Sequence, residues 1–531
     1  MKRNAAVYIF GILSMMYFLS ILWVNFNASQ WYSMDMLTYS YEGRLMSDGH
    51  TFFPDGWIFG NQYHIVSSPN LSALFYPIFG DSVKSMALAS TLNTVLIIIS
   101  FVWCIGGAVG YLGLFLGVLC LIGGTIFGTD AAKYISGYQV LYTMSSFYSC
   151  YLIGILLSMG CWLRLRKGKK VLWAFVALAL VLNFALGMQS VREILVLNIP
   201  LLILELFYDC ADMRKEGATC GKSFNRSSLW FAVALMVLEV AGYLFMKSLH
   251  VAATPIIGDL QLDLSLGGLA SNFWASTKNI LRISGLAIAM DGLKFLPLSI
   301  CALLVAFIVL WSLIKIIVNK DDGALAKLIL FSFVSVLCVY GVGIFFMRTR
   351  DIYYFVYWLL AAVSVCYAFK NIGNKFKNAF LTVLFAICLV NYGYNFIPDF
   401  KSYSKYHGSL KEFSMSLVDR GISVIYVDAN PIFAAASNDK IVSQSFWLDV
   451  NLKSGYPLTF FPSDKNIVIY DDEHYDNALI CFSNYYLNYL NSSALKEYKD
   501  ILMSKLVYFD EYYTDSNHFI LYRPTERIIA P

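Results

Sequence analysis

Charge is what this sequence has least of. Asp, Glu, Lys and Arg supply 14% of its 531 residues, against about a quarter in an ordinary soluble domain. That shortage excludes a soluble enzyme, a disordered chain and a nucleic-acid binder with a basic face. The net charge of +4 is too small to imply a polyanionic partner. The 11 cysteines are scattered singly, many of them inside apolar runs, as at Cys104, Cys120, Cys161, Cys301, Cys338, Cys366 and Cys388. No CxxC or Cys/His spacing occurs, so neither a disulfide framework nor a zinc site is predicted. Internal repeats and low-complexity tracts are missing, and the halves lack the similarity common in inverted-repeat transporters. Ionisable residues are almost absent from the middles of the apolar runs. Ion- and proton-coupled transporters keep such charges there at a cost of about 2.5–3.5 kcal/mol each.

What is abundant is apolar surface. Hydrophobic residues make up 58% of the chain and the mean hydropathy is +0.61. They fall into about eleven runs near the length of a bilayer span: 6–26, 86–106, 109–128, 143–163, 171–188, 193–209, 228–247, 296–318, 326–346, 352–369 and 378–398. This predicts a polytopic α-helical membrane protein. Met1-Lys2-Arg3 precedes a run too long for a signal peptide and without a small-residue cleavage site, so the first run is read as an uncleaved helix. Basic clusters alternate with the runs: Arg164 to Lys170; Arg214, Lys215, Lys222 and Arg226; Lys320 and Lys327; Lys370, Lys375 and Lys377. Excess Lys and Arg mark the cytoplasmic side. The N-terminus is therefore expected inside, and an odd number of spans places the C-terminus outside, in a cell membrane.

Three outer segments are large. Two are loops, 27–85 and 248–295, within a transmembrane part spanning 1–398. The third is the tail, 399–531, where soluble composition begins after Phe396-Ile397-Pro398 and proline is expected to end the last helix. Gly421 to Asp428 and Asn466 to Tyr470 read as buried strands. Leu506 to Phe509 and His518 to Tyr522, split by Thr514-Asp515-Ser516-Asn517, read as a hairpin. The tail is expected to be a small α/β domain outside the membrane.

The polar residues that carry chemistry collect at the outer ends of the runs. Asp35 lies just past the first run, and Thr38, Tyr39 and Glu42 follow at helical spacing on its face. Asp35 and Glu42 are two helical turns, about 10 Å, apart. One base with a helper fits that distance better than a dyad. A carboxylate among aromatics at the membrane edge suits a general base; the plainer reading is a solvated helix start in an aromatic belt. His64 reads either as a contact to a phosphate or sugar hydroxyl or as hydrogen-bonded structure. Asp130 reads either as a second acid facing the same cavity or, with Thr129, as a helix cap. Arg192 lies in a tight outer turn, and Arg348, Arg350 and Tyr353 lie in another. Arginine forks at membrane depth suit a lipid phosphate, although snorkelling also places arginine there. Two arginines in one short outer loop run against the positive-inside trend.

The whole arrangement resembles the GT-C superfamily of membrane glycosyltransferases, in particular protein mannosyltransferases and the aminoarabinose transferase of lipid A. What resembles them is about eleven helices, a long first outer loop opened by Asp35, an acidic second loop at Asp130, outer arginines and an outward C-terminal domain. Met36 follows Asp35 where mannosyltransferases commonly have a glutamate. Ser67-Ser68-Pro69 stands where aminoarabinose transferases have a lysine-proline motif. The resemblance implies transfer of a sugar from a polyprenyl-phosphate carrier to a glycan, lipid or protein acceptor on the outer face. Asp35 and Asp130 would be catalytic, and Glu42, His64, Arg192, Arg348, Arg350 and Tyr353 would bind substrate. No cofactor is implied for a lipid monophosphate donor; a lipid diphosphate donor would favour Mg²⁺ or Mn²⁺. The competing classes are a lipid-diphosphate polymerase or ligase, and a non-catalytic flippase or assembly subunit of a polysaccharide system.

Overall fold

The computed structural model describes residues 3–27, 34–54, 59, 62–124, 141–143, 148–216, 226–251, 262–287, 292–346, 350–427, 432–437, 440–445, 477–492, 496–513 and 518–525. Helix occupies part of each of the eleven apolar runs. The first is α1 (Arg3–Asn27), followed beyond the first loop by α4 (Ser82–Ile105) and α5 (Tyr111–Leu119). Next come α6 (Ser149–Arg166), α7 (Trp173–Gln189), α8 (Ile199–Glu216) and α9 (Arg226–Ser248). The last are α11 (Leu296–Asn319), α12 (Ala324–Phe345), α13 (Val356–Asn371) and α14 (Asn374–Asp419). Among the described residues, seven helices are long and apolar enough to cross a membrane, and the stretches 111–123 and 173–189 are shorter apolar helices. This is a multi-pass membrane protein.

Lipid is the solvent that makes sense of the surface. On α11, Leu303, Phe307, Leu310, Ile314 and Ile317 lie at helical spacing on one stripe and are all exposed. Such a stripe would be an aggregation face in water and is at no cost against hydrocarbon. The 351–371 segment is the opposite case. Nearly all of it is buried, and Trp358, Leu359, Val363 and Cys366 are fully enclosed, so α13 runs through the centre of the bundle. Glycines let helices approach. A Cβ at Gly187 of α7 would lie 2.1 Å from the Glu239 carbonyl of α9, and one at Gly242 would lie 2.1 Å from the Phe184 carbonyl. In hydrocarbon, where helices gain little from hydrophobic contact, such close backbone packing is a main source of association.

The loops contain helices that apolar periodicity does not predict. α2 (Met34–Asp48) and α3 (Ser68–Phe79) fill the first loop, and α10 (Leu266–Ile283) fills the loop at 248–295. Pro69 opens α3, and Gly80, at φ 57°, closes it in the left-handed region. Asp81 then starts α4 by accepting from the Lys84 N–H at 3.0 Å. α2 and α3 touch at Gly43, where a Cβ would lie 2.0 Å from Ser72 Oγ. Asn93 Nδ2 of α4 donates to Ser68 Oγ at 3.0 Å. The described part of the loop is thus a cap packed on the end of the bundle.

α14 does not stop at the expected place. It runs through Pro398 to Asp419, so the 398/399 boundary falls inside a helix. Its far end carries Leu410 and Leu417 into the core of the C-terminal domain, and that packing outweighs the loss of one helical hydrogen bond to proline. The domain has β1 (Val424–Val427), α15 (Ile432–Ala436), β2 (Val442–Ser445), β3 (Ala478–Ser483), α16 (Asn484–Ser492), α17 (Lys496–Ser504), β4 (Leu506–Tyr513) and β5 (His518–Pro524). Strand order is β2-β1-β3-β5-β4. β1 pairs in parallel with β2 and β3, while β5 pairs antiparallel with β3 and β4. The predicted first strand and terminal hairpin are both present; the strand expected at Asn466 to Tyr470 lies outside the described residues. Tyr39, Val83 and Met86 share one core with Ile425, Leu479, Phe519 and Leu521, so the domain sits on the first-loop cap.

Candidate active site

The site is built where the first loop meets the ends of α6 and α7. Glu42 on α2 is fully buried, and the Nδ1 of His64 lies 2.8 Å from its Oε1 and 3.0 Å from its Oε2. His64 is itself 2% exposed and meets the ring of Tyr39 edge-on at 4.6 Å. With Nδ1–H donating to the carboxylate, Nε2 is left to accept, and Gln62 Nε2 stands 3.5 Å from it. That fixes the amide of Gln62 with its oxygen outward. Oε1 accepts from Arg192 Nη1 at 2.8 Å and from the Tyr151 hydroxyl at 3.3 Å. A continuous chain therefore runs from the Glu42 carboxylate through imidazole and amide to the Arg192 guanidinium.

Two further elements lock this chain. Gln189 closes α7; its carbonyl accepts from Tyr63 N–H at 3.2 Å and its Oε1 from Val66 N–H at 3.3 Å. Its Nε2 donates to the Tyr151 hydroxyl at 3.2 Å, and Ser190 Oγ lies 2.6 Å from the same hydroxyl. After Gln189 the chain turns and enters a π-helical turn, Ile194–Asn198, before α8. A π turn inserts an extra residue into the helical register and often marks a functional site. Here it begins two residues after Arg192.

Arg192 is half-buried and, among the described residues, forms no ion pair. Its guanidinium lies 5.2 Å from the ring centre of Tyr148 and 5.7 Å from that of Tyr353. Tyr353 belongs to a 3₁₀ turn, Asp351–Tyr354, that leads into α13. Arg350 precedes that turn and is exposed. Tyrosine faces hold a guanidinium in place by cation–π attraction without neutralising it. The arrangement is a fixed cation with donors to spare, as a phosphate site requires.

The structure thus joins four residues singled out from the sequence: Glu42, His64, Arg192 and Tyr353, the last two through ring contact. Glu42 and His64 are spent on each other and on Gln62, so they position the guanidinium. Asp35 lies on α2, and the regular helix from Met34 sets it about 10 Å along the axis from Glu42; its side chain is outside the described residues. Asp130 and Arg348 are also outside them. Among the described residues, no group of three or more His, Cys, Asp or Glu converges as a metal site. Sequence reasoning missed Gln62, Tyr151, Gln189 and Ser190. The one available signal was the concentration of polar residues at the end of an otherwise apolar run, Gln189-Ser190 beside Arg192.

No family model matches the chain, and no curated protein matches it. Among solved structures it is similar to ArnT from Cupriavidus metallidurans bound to undecaprenyl phosphate, with TM-score 0.52 and 10% sequence identity over 96% of this chain and 97% of that one. The apo state of the same protein gives TM-score 0.55 and 11% identity, with the same coverage. At that identity the likeness shows the fold. The chain shares the fold of that structure over nearly its whole length, from the first helix to the C-terminal domain.

Proposed function

We propose that this protein is a glycosyltransferase that moves a sugar from a polyprenyl-phosphate carrier to an acceptor hydroxyl at the outer face of the membrane. The N-terminus would be cytoplasmic and the C-terminal domain extracytoplasmic. The observation that carries this reading is Arg192, a preorganised cation with no carboxylate partner among the described residues, at the mouth of a GT-C bundle. A similar protein has been solved with undecaprenyl phosphate bound. The chemistry is a single inverting displacement. The acceptor oxygen bonds to the anomeric carbon while the bond from that carbon to the phosphate oxygen breaks, and the electron pair leaves with the lipid phosphate. The Asp35 carboxylate takes the acceptor proton, with Asp130 as a second acid at the same cavity. Arg192, with Arg350 and Arg348, holds the charge that develops on the leaving phosphate. Glu42 and His64 act behind Gln62 to keep the Arg192 fork aimed. A monophosphate leaving group needs no metal when guanidinium supplies the charge, whereas a lipid diphosphate donor would call for Mg²⁺ or Mn²⁺.

The test is transfer of radiolabelled sugar from a purified polyprenyl-phosphate donor to a membrane acceptor. Asp35→Asn is expected to lower the rate roughly 10²–10⁴-fold, with donor binding retained. Transfer at the wild-type rate by Asp35→Asn would remove Asp35 from the mechanism. Absence of transfer from any polyprenyl-phosphate donor, with lipid movement across vesicles instead, would replace the enzyme by a flippase. The glycan and lipid composition of membranes lacking the protein names the sugar and the acceptor.

A further inference from the structure

Behind the Arg192 turn lies a second polar cluster that sugar transfer does not use. Glu193, Asn198 and Glu239 are fully buried. Glu239 sits in α9, nine residues or about 13 Å before its end at Ser248, at a depth where lipid surrounds the bundle. Its Oε1 accepts from the Ile194 N–H at 3.0 Å, and Asn198 Nδ2 donates to its Oε2. Both carboxylate oxygens of Glu193 and the Oδ1 of Asn198 have no hydrogen-bond partner among the described residues. Space for the Glu193 carboxylate is made by Gly154 of α6, where a Cβ would lie 2.5 Å from Oε1.

Two ionised carboxylates in an apolar interior cost several kcal/mol each unless a proton or a cation compensates them. Among the described residues no cation does so. Glu239 reaches the Ile194 N–H beside Glu193, and the neighbouring Arg192 turns the other way, to Gln62 and the tyrosine rings. The donors gathered here are all oxygen: two carboxylates and one amide carbonyl. Oxygen sets of this kind select hard cations, and a divalent ion balances two carboxylates.

We propose that Glu193, Glu239 and Asn198 bind a divalent hard cation of the Mg²⁺, Ca²⁺ or Mn²⁺ class inside the bundle. The ion ties the π turn at Ile194–Asn198 to α9 and so fixes the turn that carries Arg192. It is distinct from any metal that a diphosphate donor would bring, and the assignment does not depend on the transfer reading.

Mn²⁺ is the probe. The full-length protein in lipid nanodiscs, stripped with EDTA, is titrated with Mn²⁺ while free Mn²⁺ is followed by electron paramagnetic resonance. One ion per chain is expected, together with a rise in thermal midpoint on binding. Glu193→Gln keeps the size and the Glu239 hydrogen bonds, and is expected to weaken binding roughly tenfold or more. Gly154→Ala leaves both carboxylates in place but crowds Glu193, and is expected to weaken binding as well. Glu42→Gln is expected to retain the ion. Three results overturn the proposal: no ion bound by the wild-type chain, equal binding in monodisperse Glu193→Gln, or loss of the ion in Glu42→Gln. The last would place the metal at the Arg192 site.

Discussion

Two arginines lie toward opposite ends of the same helix, and among the described residues only one is paired with carboxylates. Arg166 closes α6, with its side chain 6% exposed. Its Nη1 lies 2.8 Å from Asp209 and 3.0 Å from Glu205. Glu205 also accepts from Trp162 Nε1 at 2.6 Å and from the Ser228 hydroxyl. Five side chains thus hold one another across α6, α8 and α9. Arg192, near the other end of α6 through Tyr151, has an amide and two rings. The first cluster is closed and holds helices together. The second leaves positive charge unspent and held still, which costs stability and makes sense only if an anion arrives to use it.

The widest gap between the two should appear in stability. Arg166→Leu strands two buried carboxylates and is expected to destabilise the protein by about 3–5 kcal/mol, read as a fall in thermal midpoint in detergent. The molecules that remain folded should transfer sugar at the wild-type rate. Arg192→Ala should do the reverse. The thermal midpoint stays near wild type while transfer falls roughly 10²–10³-fold, as when one donor to a developing oxyanion is lost. If Arg192→Ala instead unfolds the protein and spares the rate, the two clusters are alike and the phosphate role is lost.

Smaller effects sharpen the contrast. Glu42→Gln removes the charge behind His64 and is expected to cost about 1–3 kcal/mol. Part of that should appear as a raised KM for the lipid donor, because the Gln62 amide is then free to turn. Rescue by Glu42→Asp would point to positioning. Arg192→Lys keeps a charge but loses the planar fork, so donor affinity should fall less than in Arg192→Ala. Equal loss in the two variants would mean that fork geometry, and not charge alone, holds the phosphate.

The C-terminal domain belongs to this comparison because it rests on the open end. Tyr39 packs both in the domain core and against His64, so one side chain links the domain to the chain of hydrogen bonds ending at Arg192. Composition marks where soluble character begins, near Pro398, but not that α14 continues to Asp419. The decision came from Leu410 and Leu417 finding a core to enter, a contact with residues far along the chain. Helical spacing at Asp35 to Glu42 pointed to α2, but the short helices α3 and α10 escaped notice. They are short helices lying in loops among polar and turn residues.

Sequence by itself determined the membrane class, the helices in the apolar runs, the terminal hairpin and the side of the bundle that gathers polar groups. Those features are written locally, in runs, in alternation and in the scarcity of charge, because bilayer thickness and strand geometry impose them residue by residue. Only the tertiary structure decided what the polar groups do. Arg192 and Gln62 are 130 residues apart in the chain, and Glu42 and His64 are 22 apart. No periodicity encodes either meeting. Sequence treated the apolar runs as nearly free of charge, yet burial turned Glu205 into part of a lock and Glu239 into the partner of Glu193. A carboxylate's role is set by what reaches it once water is excluded, and that is fixed by how helices pack.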